Sequence, residues 1–138
     1  MALMTNMDLR RFNGQGYWFL IHGIVDLILA IPLMVAPVAF LEWLGWVDVD
    51  VFTARIVAAA LIGIGVESLL AYRAEFHAIK AMLNLKIIWA VAGIVGTIWS
   101  AIASEATPWG MWLIVALFAI FLISWIVWRF RISGFAGK

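Results

Sequence analysis

Four long apolar stretches separated by short polar ones set the pattern of this chain. The apolar runs cover about residues 17–36, 51–72, 82–103 and 109–128, each roughly the ~20 residues that a helix needs to cross the hydrocarbon of a bilayer. Between them lie Val38–Asp50, Arg73–Ala81 and Ser104–Pro108, which are richer in charge and turn residues. None of the runs shows the strict alternation of a strand. The pattern predicts an all-α protein, an up-down bundle of four membrane-spanning helices forming one domain over residues 1–138. Pro32 removes a backbone donor inside the first run and is expected to kink it near its far end.

Composition agrees with this reading. Hydrophobic residues make up 67% of the chain and charged residues 12%, too much apolar surface for one small soluble core to hide. The lipid bilayer is the partner that composition demands. Arg10 and Arg11 precede an apolar run that is long for a signal peptide and contains Asp26, so the first run reads as a retained helix. Formal net charge is +1 and no basic run occurs, so nucleic-acid binding is set aside. Cysteine is absent, which excludes disulfides and thiolate chemistry.

The basic residues give an orientation. Arg10, Arg11, Arg73, Lys80, Arg129, Arg131 and Lys138 fall on one side if the spans alternate, with Lys86 close to it, and only Arg55 falls on the other. The positive-inside rule then places both termini in the cytoplasm of a multi-pass protein of the plasma (inner) membrane. Trp18, Trp125 and Trp128, with Tyr17 and Tyr72, are expected at the cytoplasmic interface, and Trp43, Trp46, Trp109 and Trp112 at the outer one. The segment 40–46 is expected to lie along the outer surface as a short amphipathic turn or helix.

Small residues suggest where helices meet. Ala59, Gly63 and Glu67 share a face of the second span, and Lys86, Ala90, Gly93, Thr97 and Ser100 form a stripe on the third, with Gly93 and Gly96 as a notch. In lipid, such faces allow close backbone approach. The expectation is that these two stripes pack on each other, with a dimer contact as the other use of the notch.

The candidate chemistry is a set of polar residues inside apolar spans. Asp costs about 2.5–3.5 kcal/mol at a membrane-helix centre on insertion scales, so Asp26 and Glu67 must be paired, protonated or wetted. His22 and Asp26 share a face of the first span; Glu67 and Ser68 lie near the end of the second, Asn84 and Lys86 near the start of the third. At 1.5 Å per residue, Lys86 is about 6 Å deep, His22 and Glu67 about 8 Å and Asp26 about 13 Å from the same side. The matching depths predict a Glu67–Lys86 pair, leaving Asp26 to His22 or to a proton of its own. Structural register, a ligand, quinone or partner site, and a proton path are the open uses of this cluster. No metal site is assigned: His22, Asp26 and Glu67 have usable spacing but form no specific motif. His77 is expected to be solvated in a loop. Arg55, at the outer end of the second span, is expected to anchor on Asp48, Asp50, Glu105 or a lipid phosphate. No nucleophile elbow, zinc-protease helix, phosphate loop or dinucleotide fingerprint is present, and Gly14 and Gly16 read as flexible punctuation rather than a Rossmann turn. The chain therefore does not read as an enzyme, and its cofactor is unknown.

One resemblance is worth stating. A first span ending at Ala36-Pro37, then Arg55 opening a small-residue span through Ala58-Ala59-Ala60 to Gly63 and Gly65, then two plain spans, resembles the DoxX-like group of small four-helix membrane proteins. That resemblance implies a membrane protein some of whose relatives serve as subunits of quinone-linked oxidoreductases. Three functional expectations follow: a non-catalytic accessory or scaffold protein whose polar cluster holds a ligand or partner helix, an oligomeric proton-coupled carrier using Asp26 or Glu67, and a subunit beside a quinone-linked enzyme.

Overall fold

The computed structural model describes residues 6–71, 76–103 and 107–133. They form five helices: α1 (Asn6–Val35), α2 (Pro37–Trp43), α3 (Val51–Leu70), α4 (Phe76–Ala103) and α5 (Trp109–Ser133). Four are long and apolar enough to cross a membrane, over Gly14–Val35, Val51–Leu70, His77–Ala103 and Trp109–Arg131. The all-α four-span fold is as expected. The differences are at the edges. α1 runs back through Gly14 and Gly16, and α4 starts at Phe76, six residues before the expected start of the third span, so His77 sits in a helical turn instead of a loop. Tyr72, Arg73, Glu105 and Lys138 lie outside the described residues.

The spans alternate in direction. The start of α1, the end of α3, the start of α4 and the end of α5 share one face of the bundle, called here the near face. The far face holds α2 and the connection into α5. α2 is the surface helix expected around Phe40–Trp46, moved a turn earlier. It opens on Pro37, whose missing N–H costs nothing at a first helical position. It closes at Gly45, which has φ +96°. The Gly45 N–H reaches Glu42 O (2.9 Å) and the Trp46 N–H reaches Leu41 O (3.0 Å), the paired bonds of a Schellman cap. The Gly110 N–H then bonds Leu44 O (2.9 Å), tying the start of α5 to this cap.

Asp50 opens α3. Its carboxylate accepts from the N–H of Phe52 (3.0 Å) and of Thr53 (3.3 Å) and from the Thr53 hydroxyl, satisfying donors that a helix start leaves bare.

Packing does not follow the expected stripes. α1 lies against α3, and α4 against α5, as two antiparallel pairs. α3 and α4 do not form a packed pair along their length. On α3 the buried face is Ala54, Ala58, Gly65 and Ser68, one position away from the expected Ala59, Gly63 and Glu67, all three of which are exposed. The crossing point with α1 is Gly23 on Gly65. A Cβ on Gly23 would stand 2.7 Å from Gly65 O, and one on Gly65 would stand 2.9 Å from Asp26 Cβ. A Cβ on Gly63 or Gly96 would meet nothing within 4 Å, so neither is a packing notch inside the chain. On α4 the stripe does not meet the expected face of α3: Lys86 and Ala90 are buried, Lys86 reaching Ser68 and His22, and Gly93 turns to α5. Gly93 receives the Phe118 ring, where an added Cβ would stand 2.8 Å away. Gly14, instead of being loose punctuation, packs on the Trp128 ring of α5, with an added Cβ at 3.0 Å.

The interior has two apolar parts. Near the near face, Phe19, Ala71, Ile79, Met82, Leu83, Phe121 and Trp125 form one cluster. Toward the far face, Leu33 packs with Ala54 and Ala58. Outward-facing Ile28 (63% exposed), Ile88 (67%) and Ile123 (64%) present apolar surface to lipid. Polar side chains on these spans cap their own helices: Thr97, Ser100 and Ser124 each donate to the carbonyl four residues back.

Two outcomes test this packing. Gly65→Val should destabilise the folded protein by about 1–3 kcal/mol, the usual range for overpacking, whereas Gly63→Val should leave thermal unfolding in nanodiscs nearly unchanged. Equal effects at the two sites would contradict the Gly23–Gly65 crossing. The cap gives a pH test. The Thr53 hydroxyl, then the backbone donors of Thr53 and Phe52, hold the Asp50 carboxyl below its ordinary value. Its stabilisation is therefore present above the unfolded carboxylate value and lost as pH falls through the lowered folded value. Amide-exchange protection at Phe52 and Thr53, corrected for the intrinsic pH dependence of exchange, should fall in acid in the native chain, and this acid step should vanish in Asp50→Asn.

Candidate functional site

α1 presents Gln15, Phe19, His22, Asp26, Ala30 and Leu33 at intervals of three and four, one continuous inward face. Most of that face is apolar, yet Gln15 (2% exposed), His22 (6%) and Asp26 (6%) are as buried as the residues around them. α3 contributes Ser68 and α4 contributes Lys86, both essentially inaccessible. α5 contributes the rings of Phe121 and Trp125. All four spans thus converge on one buried polar centre.

Lys86 is its hub. Its ammonium donates to Ser68 Oγ (2.5 Å) and lies 3.1 Å from His22 Nδ1. Ser68 in turn donates to Ile64 O, so its hydroxyl both gives and accepts. The Lys86 Nζ also stands 5.5 Å from the Phe19 ring centre and 5.3 Å from that of Trp125, within cation–π range. His22 is fixed by edge-on contacts to Phe121 (4.5 Å) and Trp125 (5.2 Å). Trp125 stacks on Phe19 at 5.3 Å. Asp26 places Oδ2 2.9 Å from His22 Nδ1, a contact that is ionic only when the imidazole is protonated, and Oδ2 takes no directed hydrogen bond among the described residues. Gln15 Nε2 and Trp125 Nε1 are likewise buried without a protein partner there.

His22, Asp26 and Lys86 meet, and Asp26 is held by His22. The Glu67–Lys86 pair does not form. Glu67 is exposed on the opposite side of α3, and its neighbour Ser68 takes the lysine instead. One residue is about 100° on a helix, enough to turn a side chain from the interior to the lipid. Asn84 is also outside the centre: it is exposed and accepts from Arg129 Nε at 2.9 Å, clipping α4 to α5. Arg55 donates to Met34 O (3.3 Å) at the end of α1, a backbone anchor, while Glu105 lies outside the described residues. With Glu67 turned away, no group of three metal-ligating acids and histidines forms among the described residues.

Two members were missed. Trp125 was expected as an interfacial anchor and is instead completely buried beside Lys86. Gln15 was not singled out, although its place seven residues before His22 puts it on the same face as His22 and Asp26. Trp43 (67% exposed), Trp109 (51%) and Trp112 (56%) are exposed at the far end of the bundle.

No family model matches the chain, and no curated protein or solved structure is significantly similar to it.

The centre can be tested by removing its charges. Lys86→Met removes the ammonium that lies across His22 from the buried Asp26, and loss of one member of a buried charged set costs about 3–5 kcal/mol. Adding Asp26→Leu should recover most of that loss. Unfolding of the single and double variants in lipid nanodiscs measures both. A double variant no more stable than Lys86→Met would show that the two charges do not compensate one another.

Proposed function

We propose that this multi-pass membrane protein is a non-catalytic accessory subunit whose buried centre binds a small conjugated, carbonyl-bearing molecule taken from the lipid phase. The observation that carries this reading is the pairing of unmatched donors with flat aromatic walls. Gln15 Nε2 and Trp125 Nε1 are buried N–H donors without an acceptor among the described residues, and the rings of Phe19, Phe121 and Trp125 stack beside them. Buried donors without acceptors are unusual in folded proteins and ask for an explanation. A quinone-type ring fits that chemistry: its carbonyls accept, its ring stacks, and it partitions into lipid. The DoxX-like pattern of the sequence supports the same direction, toward a subunit that works beside a quinone-linked enzyme in the plasma membrane. The absence of a nucleophile, phosphate or dinucleotide motif from the sequence supports a binding role over a catalytic one.

A second reading has its own observation. His22 Nδ1 stands between a carboxylate and an ammonium, which favours a proton-handling carrier with Asp26, not the outward-facing Glu67, as its acid. Such a carrier would act as an oligomer, since four helices make a thin pathway.

Native mass spectrometry of protein extracted directly into nanodiscs separates these readings. The accessory reading expects a retained quinone-like mass or a co-purifying partner chain, with the small ligand lost in Gln15→Leu and in Trp125→Phe. A ligand-free homo-oligomer that moves solute or protons when reconstituted alone would overturn it in favour of the carrier.

A further inference from the structure

The α4–α5 hairpin carries Lys80, Lys86, Arg129 and Arg131, and neither helix contains an Asp or a Glu. Lys86 is turned inward to Ser68 and His22. The other three cations sit at the near face. Lys80 follows the start of α4 by four residues and Arg129 precedes the end of α5 by four, each about 6 Å along its helix. Long cationic side chains this close to the end of a span reach the headgroup layer.

Two of these cations belong to one seam. Arg129 Nε donates to Asn84 Oδ1 at 2.9 Å, from α5 across to α4. Asn84 comes four residues after Lys80, so the two share a face of α4. The acceptor is a neutral amide. Its bond fixes the guanidinium at the seam with one N–H and leaves the positive charge uncancelled. The same bond orients the amide. With Oδ1 turned to Arg129, Nδ2 is left as a donor, and it finds no acceptor among the described residues. One turn deeper the seam is apolar and uncovered: Ile88, below Asn84, is 67% exposed, and Ile126, below Arg129, is 37% exposed. Arg131 belongs elsewhere. Two residues turn it about 200° from Arg129. Its guanidinium lies over the Trp128 ring at 5.1 Å, the ring that packs on Gly14 of α1.

We infer that Lys80, Asn84 and Arg129 form a site for the headgroup of an anionic phospholipid, whose acyl chains lie over Ile88 and Ile126. Oriented cations at headgroup depth above an exposed apolar strip match the two parts of such a lipid, and basic sites between spanning helices hold anionic headgroups in this way. The guanidinium and the ammonium meet the phosphate, and Asn84 Nδ2 donates to a phosphate or glycerol oxygen. Phosphatidylcholine carries the same phosphate, but its choline brings a positive charge to a positive site. The seam therefore selects lipids of net negative charge. It lies on the outer surface of the bundle and uses no residue of the buried centre, so it stands whether or not that centre binds a ligand.

The test is native mass spectrometry of protein released from nanodiscs made of equal parts phosphatidylglycerol and phosphatidylcholine, counting the lipid retained on the protein. The native chain should retain phosphatidylglycerol in excess. Lys80→Gln and Arg129→Gln should each lower the ratio of the two lipids about fivefold, the worth of one cation near a membrane surface. Arg131→Gln removes the same charge from another side of α5 and should leave the ratio nearly unchanged. Asn84→Ala removes no charge and should still lower it, because Arg129 loses its hold and the lipid loses a donor. Equal losses in Arg129→Gln and Arg131→Gln, or an unchanged ratio in Asn84→Ala, would show a diffuse attraction and overturn the proposal. Equal retention of both lipids by the native chain would overturn it too. Displacement of the lipid by millimolar inorganic phosphate would do the same, assigning the seam to a free anion. Circular dichroism in pure phosphatidylcholine nanodiscs checks that each variant is folded. Should Arg129→Gln not fold, Lys80→Gln against Arg131→Gln makes the same comparison.

Discussion

A fully buried ammonium is the constraint around which this bundle is organised. Lys86 is only 1% exposed, its ammonium lying between α4, α3 and α1. A cation in such a place needs acceptors, and the fold supplies them from other helices: Ser68 from α3 and His22 from α1, with Asp26 behind His22. The backbone pairs α1–α3 and α4–α5 are close-packed through glycine contacts, but little backbone packing joins one pair to the other. The Lys86 side chain and the Phe19–Trp125 and Trp18–Phe121 ring contacts do that joining. Polar groups in a membrane interior specify register because a one-residue slip leaves a donor or a charge unmatched.

This division explains why the small residues were informative without being decisive. The sequence shows that α3 has small residues at 58, 59, 60, 63 and 65, and helical spacing allows two different faces among them. In a soluble helix, the charged side would mark the outside and settle the rotation. Here both faces are apolar, so the rotation is set by which face suits its neighbour. The Gly23–Gly65 crossing decides it, and it needs both glycines at once. Glu67 misled for the same reason. A carboxylate in an apolar span invites the assumption that it points inward, but Glu67 is within a turn of the helix end, where it can reach the membrane surface.

What was legible followed from properties that need no partner. Span length, span number and the far-face tryptophans depend on bilayer thickness and on where an indole N–H finds water. The His22–Asp26 contact depends only on a four-residue interval along one helix. What was not legible depended on tertiary choice. Whether Lys86 meets residue 67 or 68, and whether Trp125 anchors at the surface or fills the core, turns on one step of helix rotation. Gln15 shows the boundary well. Its position is in phase with His22 and Asp26, but it lies in a stretch whose glycines, Gly14 and Gly16, read as the end of the helix. Only the Trp128 ring lying on Gly14 shows that the helix, and its buried face, extends that far.

The centre also has an uneven balance of donors and acceptors, and this asymmetry links its architecture to its chemistry. If its purpose were structural alone, the least costly solution would be closed, with each donor matched to an acceptor, since an unmatched buried group is penalised in lipid. The Ser68 end is closed in this way: the hydroxyl accepts from Lys86 and donates to Ile64 O. The His22 end is not, because one nitrogen faces two neighbours, and Asp26 Oδ2, Gln15 Nε2 and Trp125 Nε1 remain unmatched among the described residues. The centre is thus matched where Ser68 holds the lysine and unmatched around His22.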